Sequence, residues 1–567
     1  MEEQFRKEGR VESFARGALI ITLAVLFSRL LGALYRPIVV RLFAPFDGQH
    51  GEAGFGLTQV PAPAYLVVLS VSAFGINIAI SRLVADRVAR GRYRSAWRVF
   101  RLSLVLMSAL GLVLGAAFYA AAPLLATAAG RPETAPGFQA IAPAIFLVSV
   151  MAAYRGLFQG LQRMGPYAAS QVYEQIVRIV AGIALVWLLA PRSVPLAAAG
   201  YNFGATAGAL TGLVYLVLVF WRQRRELLPT LFDPARADGR GQAAAGPDEA
   251  AWPVLREVLR LAAPISIIGA VQPLILMTDS FLVITRLEAA GVTAQSADAL
   301  LGQLANSFSI VWLPAILTAG LYTSLVPAIT ESLARHNWAE ARSRSITAYR
   351  LTLLFSLPAT AGIWVLADGI YKLFFLSEGG PVLRALAPAT FFMMLQQTSS
   401  GVLQGAGDIA TPVRNFLLGA GLKVVLTFWW TATGLGARGA AYATGAAFAL
   451  AGGLNVLAVR RRFGALARDP GDWLRPAAAA LVMSAFAAAA ERPLAALLGS
   501  QRLGTVAVVV LAAGVYGAAL LGVRGITARD LRMLPGPGPR LAGLLLRWRL
   551  LPPEGGTETG SGGGTAR

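Results

Sequence analysis

Apolar stretches of about 20 residues recur along almost the whole chain, and shorter polar segments separate them. Each stretch is long enough to cross a bilayer core as an α-helix. The pattern therefore predicts an all-α polytopic membrane protein with about fourteen transmembrane helices.

The predicted spans fall into two groups of six and a final pair. The first group lies near residues 17–40, 61–83, 99–122, 138–159, 167–189 and 196–221, and the second near 258–284, 304–329, 349–375, 382–404, 412–433 and 439–459. The final pair lies near residues 473–498 and 503–523. We expect a cytoplasmic N-terminus (1–16), an N-lobe (17–221), a cytoplasmic linker (222–257), a C-lobe (258–459), two extra helices (473–523) and a largely disordered cytoplasmic tail (524–567).

Composition supports a membrane protein and argues against disulfides and metal sites. Of the residues, 56% are hydrophobic and 14% are charged, whereas soluble domains carry about 25% charged residues. The chain has no cysteine and only His50 and His336 as histidines. A disulfide framework and a thiolate metal site are therefore excluded, and a histidine metal site is not expected.

The predicted topology accounts for the net charge of +21. Arginines concentrate in every second loop, as in residues 82–98, 222–260 and 460–475, and the loops between hold few. By the positive-inside rule, these loops and both termini face the cytoplasm. Nucleic-acid binding is not needed to explain the charge.

The two six-span groups resemble each other in sequence. Gly156-Leu157-Phe158-Gln159-Gly160 matches Gly401-Val402-Leu403-Gln404-Gly405, and Arg178 and Lys423 each follow the first glycine by 22 residues. A second match, Ala79–Ala85 with Ala328–Ala334, has an offset of 249. Six spans separate equivalent positions, so the repeat is parallel and predicts a pseudo-two-fold axis along the membrane normal.

Few ionisable residues lie inside the predicted spans. The candidates for a place in the interior of the membrane are Arg29, Arg36, Glu174, Arg178, Asp279 and Lys423. A charge within the bilayer is costly, so such residues usually face an interior cavity or pair with one another.

The basic members of this set are candidates for binding an anionic headgroup, because a guanidinium can bind phosphate oxygens at two points. Arg29, Arg178 and Lys423 are expected to line the cavity. Arg36 is a candidate too, although it is near a helix end and could instead extend to the interface.

The acidic members leave alternatives open. Glu174 could position Arg178 for the substrate, since the two are four residues apart on one helix face, or form a purely structural ion pair with it. Asp279 could bind a coupling proton or sodium ion, or pair with an arginine. Gln159 and Gln404 are candidates for hydrogen bonding to substrate, or for holding helices together. Asp47, His50 and Glu52 predict a solvated turn. No metal site, other cofactor or catalytic constellation is expected.

Several motifs carry a family resemblance. They are Arg155–Met164 (RGLFQGLQRM) with Pro166 and Ser170–Gln175, Ser28-Arg29-Leu30-Leu31-Gly32 with Tyr35-Arg36, and Ala79–Ala85. Over residues 17–462 the chain resembles the stage V sporulation protein B group. This group is the polysaccharide-biosynthesis branch of the multidrug/oligosaccharidyl-lipid/polysaccharide exporters and is related to MurJ-type lipid II flippases.

The resemblance implies two six-helix lobes plus two C-terminal helices, and transport of undecaprenyl-pyrophosphate-linked saccharides across a bacterial cytoplasmic membrane. Its implied partners are that lipid, the surrounding membrane lipids and the cell-wall synthesis machinery. Arg29 matches the first essential arginine of the MurJ pattern, and the second falls on Tyr35 or Arg36. The arginine that such flippases carry in span 2 has no counterpart here, since residues 65–71 are uncharged.

Three other functions remain open from the sequence. A MATE-type multidrug/cation antiporter would favour an acidic cavity, whereas the in-span charge here is mainly basic. A membrane polysaccharide polymerase would need a large external loop or an acidic metal motif. A scaffold in the cell-wall machinery is the third alternative.

Overall fold

A computed structural model describes residues 27–28, 31–32, 35–232, 250–464, 469–527, 530, 543 and 546–547. Most of the first predicted span, the centre of the linker and most of the tail therefore lie outside the described residues. All regular structure within the described residues is helical, which confirms the all-α prediction.

The helices, numbered in chain order, are α1 (Arg36–Phe43), α2 (Glu52–Gln59), α3 (Pro61–Leu69), α4 (Gly75–Ala89), α5 (Tyr93–Ala120), α6 (Ala122–Ala128), α7 (Ala135–Gly160), α8 (Met164–Leu189), α9 (Val194–Phe232), α10 (Ala251–Thr278), α11 (Ile284–Ala289), α12 (Ala294–Ala334), α13 (Trp338–Val365), α14 (Ala367–Phe374), α15 (Gly380–Gly405), α16 (Ala410–Thr431), α17 (Ala437–Phe463), α18 (Gly471–Leu497) and α19 (Gln501–Gly522). One-turn π-helices, Ser70–Phe74 and Asp279–Val283, join α3 to α4 and α10 to α11. A short 3₁₀ turn, Pro132–Thr134, precedes α7.

Many of these helices can span a membrane. In the described part of the chain, nine are long and apolar enough, and the bent pair Ala251–Ile267 with Gln272–Ala289 would make a tenth. Helices α15 and α16 have a similar length, but polar residues such as Gln396, Asn415 and Lys423 interrupt their apolar sequence. The multi-pass character is confirmed, and the count of fourteen stays a prediction.

The chain forms two compact units. One comprises Met1–Ile310, Phe374–Gly379 and Ala420–Ala443, and the other Val311–Leu373, Gly380–Gly419 and Thr444–Arg567. The first unit therefore combines α1 to α11 with the start of α12 and parts of α16 and α17. This division crosses the lobe boundaries drawn from the sequence, which stay predictions.

The first unit is built around α7 and α9. Helix α9 packs along both α8 and α7, and α7 also packs against α4 and α5. Phe100, Met151 and Phe158 are almost completely buried in this core. Gly208 allows α8 and α9 to approach closely, because a Cβ at this position would lie 2.5 Å from the Glu174 carbonyl oxygen. The backbone that carries Glu174 is thereby held against α9.

The second unit is built around α13, which packs against α15 and α18. Tyr349 is fully buried in its core. Arg350 ties α13 to the C-terminal helix pair, since its guanidinium lies 3.0 Å from Asp472 Oδ1 and 3.1 Å from Asp530 Oδ2. Helices α18 and α19 are thus anchored to this unit by ionic contacts as well as by apolar packing.

The two halves repeat in local structure. Helices α5 and α13 each have 28 residues and start at Tyr93 and Trp338. Helices α7 and α15 each have 26 residues and end at Gly160 and Gly405. Both comparisons give the same offset (338 − 93 = 245 and 405 − 160 = 245), so the repeat seen in the sequence reflects two similar helix arrays.

The structure corrects one detail of this repeat. Asp86 pairs with Arg90 at 2.8 Å, and Glu331 pairs with Arg335 at 2.6 Å, just before equivalent turns. Their offset is again 245 (331 − 86), so the offset of 249 proposed for this region is wrong by four residues. Four residues are close to one helical turn of about 3.6 residues, so the shifted alignment still superimposed apolar faces.

Replacing Gly208 by alanine is expected to destabilise the protein by about 1–3 kcal/mol, because the added methyl group would force α8 and α9 apart. Thermal unfolding of the detergent-solubilised protein measures this. Gly453→Ala is the matched control, since a Cβ at position 453 meets nothing within 4 Å. Equal midpoints for the two variants would contradict the close packing at Gly208.

Candidate functional site

A carboxylate shared by two arginines lies within the helices of the first unit. Arg155 Nη2, on α7, donates to Glu174 Oε2 on α8 over 2.9 Å. Arg178 lies one turn after Glu174, and its Nη2 is 3.7 Å from Glu174 Oε1. Together with Ser170 these residues form the Glu174 cluster. Because the cluster contains two guanidinium groups and one carboxylate, its net formal charge is +1.

The two arginines differ in how fully they are bound. Arg155 Nε donates to Ser170 Oγ over 3.0 Å, and the guanidinium lies 5.6 Å from the centre of the Tyr167 ring. Arg178 is the more exposed of the two, with 30% of its side chain accessible against 11% for Arg155. Its buried Nε has no hydrogen-bond partner among the described residues. Arg178 therefore retains donors for a further acceptor.

Aromatic hydroxyl groups surround Arg178. Tyr65, Tyr35 and Tyr201 are close enough to interact electrostatically with its guanidinium. Tyr35 and Tyr201 hydrogen-bond to each other through their hydroxyl groups, and their rings stack. Partial burial strengthens these interactions, because a low-dielectric surrounding screens charge less than bulk water does.

The other predicted cation, Lys423 on α16, has its own carboxylate. Its fully buried Nζ lies 2.6 Å from Asp279 Oδ2 and 3.4 Å from the Ile275 carbonyl oxygen. Asp279 is the first residue of the π-helix after α10. Its Oδ1 is buried without a hydrogen-bond partner in the described chain. We refer to Asp279 and Lys423 as the lysine pair.

Arg36, on α1, lies in a different group of contacts. Its Nη1 donates to the Ala305 carbonyl oxygen of α12 over 2.9 Å, and its guanidinium is 5.7 Å from the centre of the Phe55 ring. Helix α2 also contacts α12 directly. Asn306 Nδ2 donates to Glu52 Oε2 over 2.7 Å.

Two glycines bring α2 and α12 together. A Cβ on Gly56 would collide with the Asp298 carbonyl oxygen, and a Cβ on Gly302 would collide with the Glu52 carbonyl oxygen. Each glycine thus faces a backbone carbonyl group of the other helix, so the two backbones touch where the helices cross. Such small-residue crossings let helices approach closely in membranes.

An arginine between α6 and α7 completes these contacts. Arg131 is buried, with Nε 2.6 Å from Asp298 Oδ1 and Nη1 2.6 Å from Glu288 Oε1. Its Nη2 donates to the Ala294 carbonyl oxygen over 2.8 Å. Burial raises the pKa of Asp298 to about 7 against the attraction of Arg131, and Glu133 and Glu288 add to this rise.

We call this set of contacts the polar clasp. Its residues are Arg36, Glu52, Gly56, Arg131, Glu288, Asp298, Gly302, Ala305 and Asn306. An aspartate in water has a pKa of about 3.9. Asp298 thus holds a proton more readily in the clasp than when hydrated.

The structure places the remaining sequence candidates as follows. Arg29 lies outside the described residues. Gln159 is near the end of α7 with its Oε1 buried and without a hydrogen-bond partner among the described residues. Gln404 occupies the equivalent place on α15, in the second unit. Within the described part of the chain, no three acidic or histidine side chains form a group suited to a metal ion.

Sequence reasoning missed the partners of these residues. The turn at residues 47–52 was predicted to be solvated, but Asp47 and Glu52 are 4% and 0% exposed. The prediction was wrong for these two residues, whereas His50 is exposed as predicted. Helix α12 covers Glu52, and its Asn306 is 254 residues away in the chain. The motif at residues 155–164 did not predict a role for Arg155, although a charged residue inside predicted span 4 was a usable signal.

Comparison with known proteins agrees with this architecture. The sequence model for "Polysaccharide biosynthesis protein" matches residues 14–333, and the MatE model matches residues 264–429. Stage V sporulation protein B of Bacillus subtilis (strain 168) is 29% identical over 436 residues, covering 76% of this chain and 80% of that protein. Lipid II flippase MurJ of the same organism is 27% identical over 433 residues, covering 72% and 76%.

A solved structure shows the same fold. Lipid II flippase MurJ in an inward closed conformation superimposes with a TM-score of 0.62, at 14% identity, over 89% of this chain and 99% of that one. The family model covers more than half of the 567 residues. This chain therefore belongs to the polysaccharide biosynthesis protein family and is a multi-pass membrane protein with the fold of the MOP transporters.

Proposed function

We propose that this protein is a flippase for polyprenyl-pyrophosphate-linked saccharides, such as lipid II or a related precursor. The observation that carries the proposal is the Glu174 cluster, which keeps an excess positive charge inside membrane helices. Such a charge is costly in a bilayer and is retained where it serves a pathway or ligand. Similarity to a lipid II flippase and membership of the family support the choice of substrate class.

In this proposal Arg178 binds the pyrophosphate. Its unpartnered Nε and its weak contact with Glu174 leave donors for phosphate oxygens. A guanidinium fork binds phosphate at two points. The phenol groups of Tyr65 and Tyr35 add donors beside it, and Arg29 would approach from the first span. Gln159 and Gln404 remain candidates for sugar contacts. The polyprenyl chain stays in the surrounding lipid.

The polar clasp closes the side that the charge pattern predicts to be external. Residues 44–52, 129–134 and 290–298 belong to loops with few basic residues, and the clasp gathers these loops around α12. Opening it would let the headgroup leave, as alternating access requires. By the same charge pattern, both termini face the cytoplasm, and the protein lies in a bacterial cytoplasmic membrane near the cell-wall synthesis machinery.

The lysine pair is the candidate for coupling to an ion gradient. Asp279 has a tethered cation in Lys423, so a proton or sodium ion at Asp279 would have to displace the ammonium group. Such a displacement would free Lys423 and change how α10 and α16 contact each other. The membrane potential is an alternative driving force for outward transport, and it would need no bound ion.

The match to the MatE model makes a drug/cation antiporter the second candidate. The charges of the described clusters favour the first. Arg155, Arg178 and Lys423 face only Glu174 and Asp279, so three cations meet two carboxylates and the net charge is +1. A site for cationic drugs would reverse this balance.

Replacing Arg178 by glutamine is expected to reduce flipping of a fluorescent polyprenyl-pyrophosphate saccharide by about tenfold or more, because one charge-assisted hydrogen bond contributes about 1.5–3 kcal/mol. The measurement uses the purified protein in vesicles. Arg163→Gln is the control, since Arg163 binds Gln223 at a helix end. Equal rates for Arg178→Gln and the wild type would show that the headgroup does not use this arginine.

The lysine pair gives a second prediction. Lys423→Met alone is expected to destabilise the protein by about 3–5 kcal/mol, because Asp279 would be left charged and buried. The double variant Asp279→Asn/Lys423→Met should recover stability and still flip lipid. Its flipping should no longer respond to an imposed proton or sodium gradient. A gradient response equal to that of the wild type would exclude the lysine pair from coupling.

Removing the clasp arginine should open the external side. Arg131→Met leaves Asp298 and Glu288 without their shared cation, and breaking such a buried pair costs about 3–5 kcal/mol. The chain has no cysteine, so a single Gln59→Cys, at the end of the clasp helix α2, reports access to a membrane-impermeant maleimide. Labelling should become at least about tenfold faster with Arg131→Met and stay unchanged with Arg192→Met, a change in an exposed loop. Unchanged labelling in both would mean that the clasp does not hold this side closed.

A further inference from the structure

The Glu174 cluster contains an arginine to which the proposed function gives no role. Arg155 is bound on three sides, by Glu174, by Ser170 and by the face of the Tyr167 ring. Ser170 is itself fixed, since its hydroxyl donates to the Tyr167 carbonyl oxygen over 2.7 Å. Arg155 is thus a rigid, well-satisfied cation and a poor candidate for direct contact with a substrate.

Glu174 interacts more closely with Arg155 than with Arg178. Its Oε2 accepts a hydrogen bond of 2.9 Å from Arg155, whereas its Oε1 lies 3.7 Å from Arg178, outside hydrogen-bond distance. Residues four apart on a helix can form a close ion pair. Arg178 and Glu174 have that spacing but remain 3.7 Å apart, while Arg155 hydrogen-bonds to the carboxylate from the neighbouring helix.

We propose that Arg155 is a positioning residue that holds Glu174 away from Arg178 and so keeps the Arg178 guanidinium available to an anionic headgroup. This role rests on the proposed function, since it gives Arg178 a purpose. It assigns opposite effects to the two arginines. Arg178 binds the anion, and Arg155 prevents the nearest carboxylate from competing with it.

A double-variant comparison separates this role from simple structural support. In Arg155→Met, both oxygens of Glu174 are free to bind Arg178, so affinity for undecaprenyl pyrophosphate should fall about tenfold, the effect of one charge-assisted hydrogen bond. In Arg155→Met/Glu174→Gln no carboxylate remains to compete. Affinity should then return to within about twofold of the wild type.

The measurement is equilibrium binding of undecaprenyl pyrophosphate to the full-length protein in nanodiscs, with neutral undecaprenol as the comparison lipid. Arg155→Lys, which keeps a cation beside Glu174, should bind nearly as well as the wild type. Arg163→Met is the matched control. Wild-type affinity in Arg155→Met would overturn the proposal, and so would a double variant as weak as the single one.

A second readout needs no substrate. Phenylglyoxal modifies accessible arginines, and mass spectrometry gives the rate at Arg178. Arg155→Met should slow this reaction, and the added Glu174→Gln should restore it. If the wild type binds no pyrophosphate lipid, the proposed function fails, but the labelling rates still decide the role of Arg155. Equal rates in all three proteins would overturn it.

Discussion

The structure depends on how a membrane protein compensates charges that it places inside its helices. An isolated charge in this environment is expensive, and three clusters of the described helices pair buried cations with carboxylates. Arg131 binds two carboxylates, Lys423 binds one, and Arg155 and Arg178 share one. Only the last arrangement leaves a positive excess. Under the proposed function, this positive excess is what distinguishes the substrate-binding cluster from the other two.

Helix packing determines where the excess positive charge of the Glu174 cluster lies. The close approach of α8 and α9 at Gly208 fixes the backbone of Glu174, and Arg155 reaches the carboxylate from α7. The equivalent helix of the second half carries Lys423 in place of Arg178, but glycine (Gly419) in place of Glu174. Its counterion, Asp279, comes instead from the π-helix that follows α10. The two halves therefore share one helix pattern but surround their equivalent cations differently: Arg178 shares its carboxylate with a second arginine, whereas Lys423 has a carboxylate of its own.

Sequence patterns predicted the features that depend on neighbouring residues. Span length gave the all-helical, multi-pass fold, and the spacing of Glu174 and Arg178 predicted their proximity on α8. Matching glycine motifs predicted the internal repeat. Near residue 331 the sequence alignment was shifted by one helical turn, because the shifted alignment still superimposed the apolar faces. The polar clasp was not predictable in this way. Its key contact joins Glu52 to Asn306, and only the tertiary crossing of α2 and α12 shows that the polar turn is buried. Arg155 was similarly hidden, since its role depends on a side chain from the next helix.

The proposed function is movement of a polyprenyl-pyrophosphate saccharide across the membrane by this chain. Expressing it in a bacterium depleted of its own lipid II flippase tests this most directly, with the amount of lipid II accessible on the outer leaflet as the readout and membrane levels of the protein checked in parallel. The account predicts that the wild-type chain restores both outer-leaflet lipid II and growth, and that Arg29→Ala, expressed at the same level, restores neither. A well-expressed wild-type chain that leaves lipid II on the inner leaflet would contradict transport of this lipid.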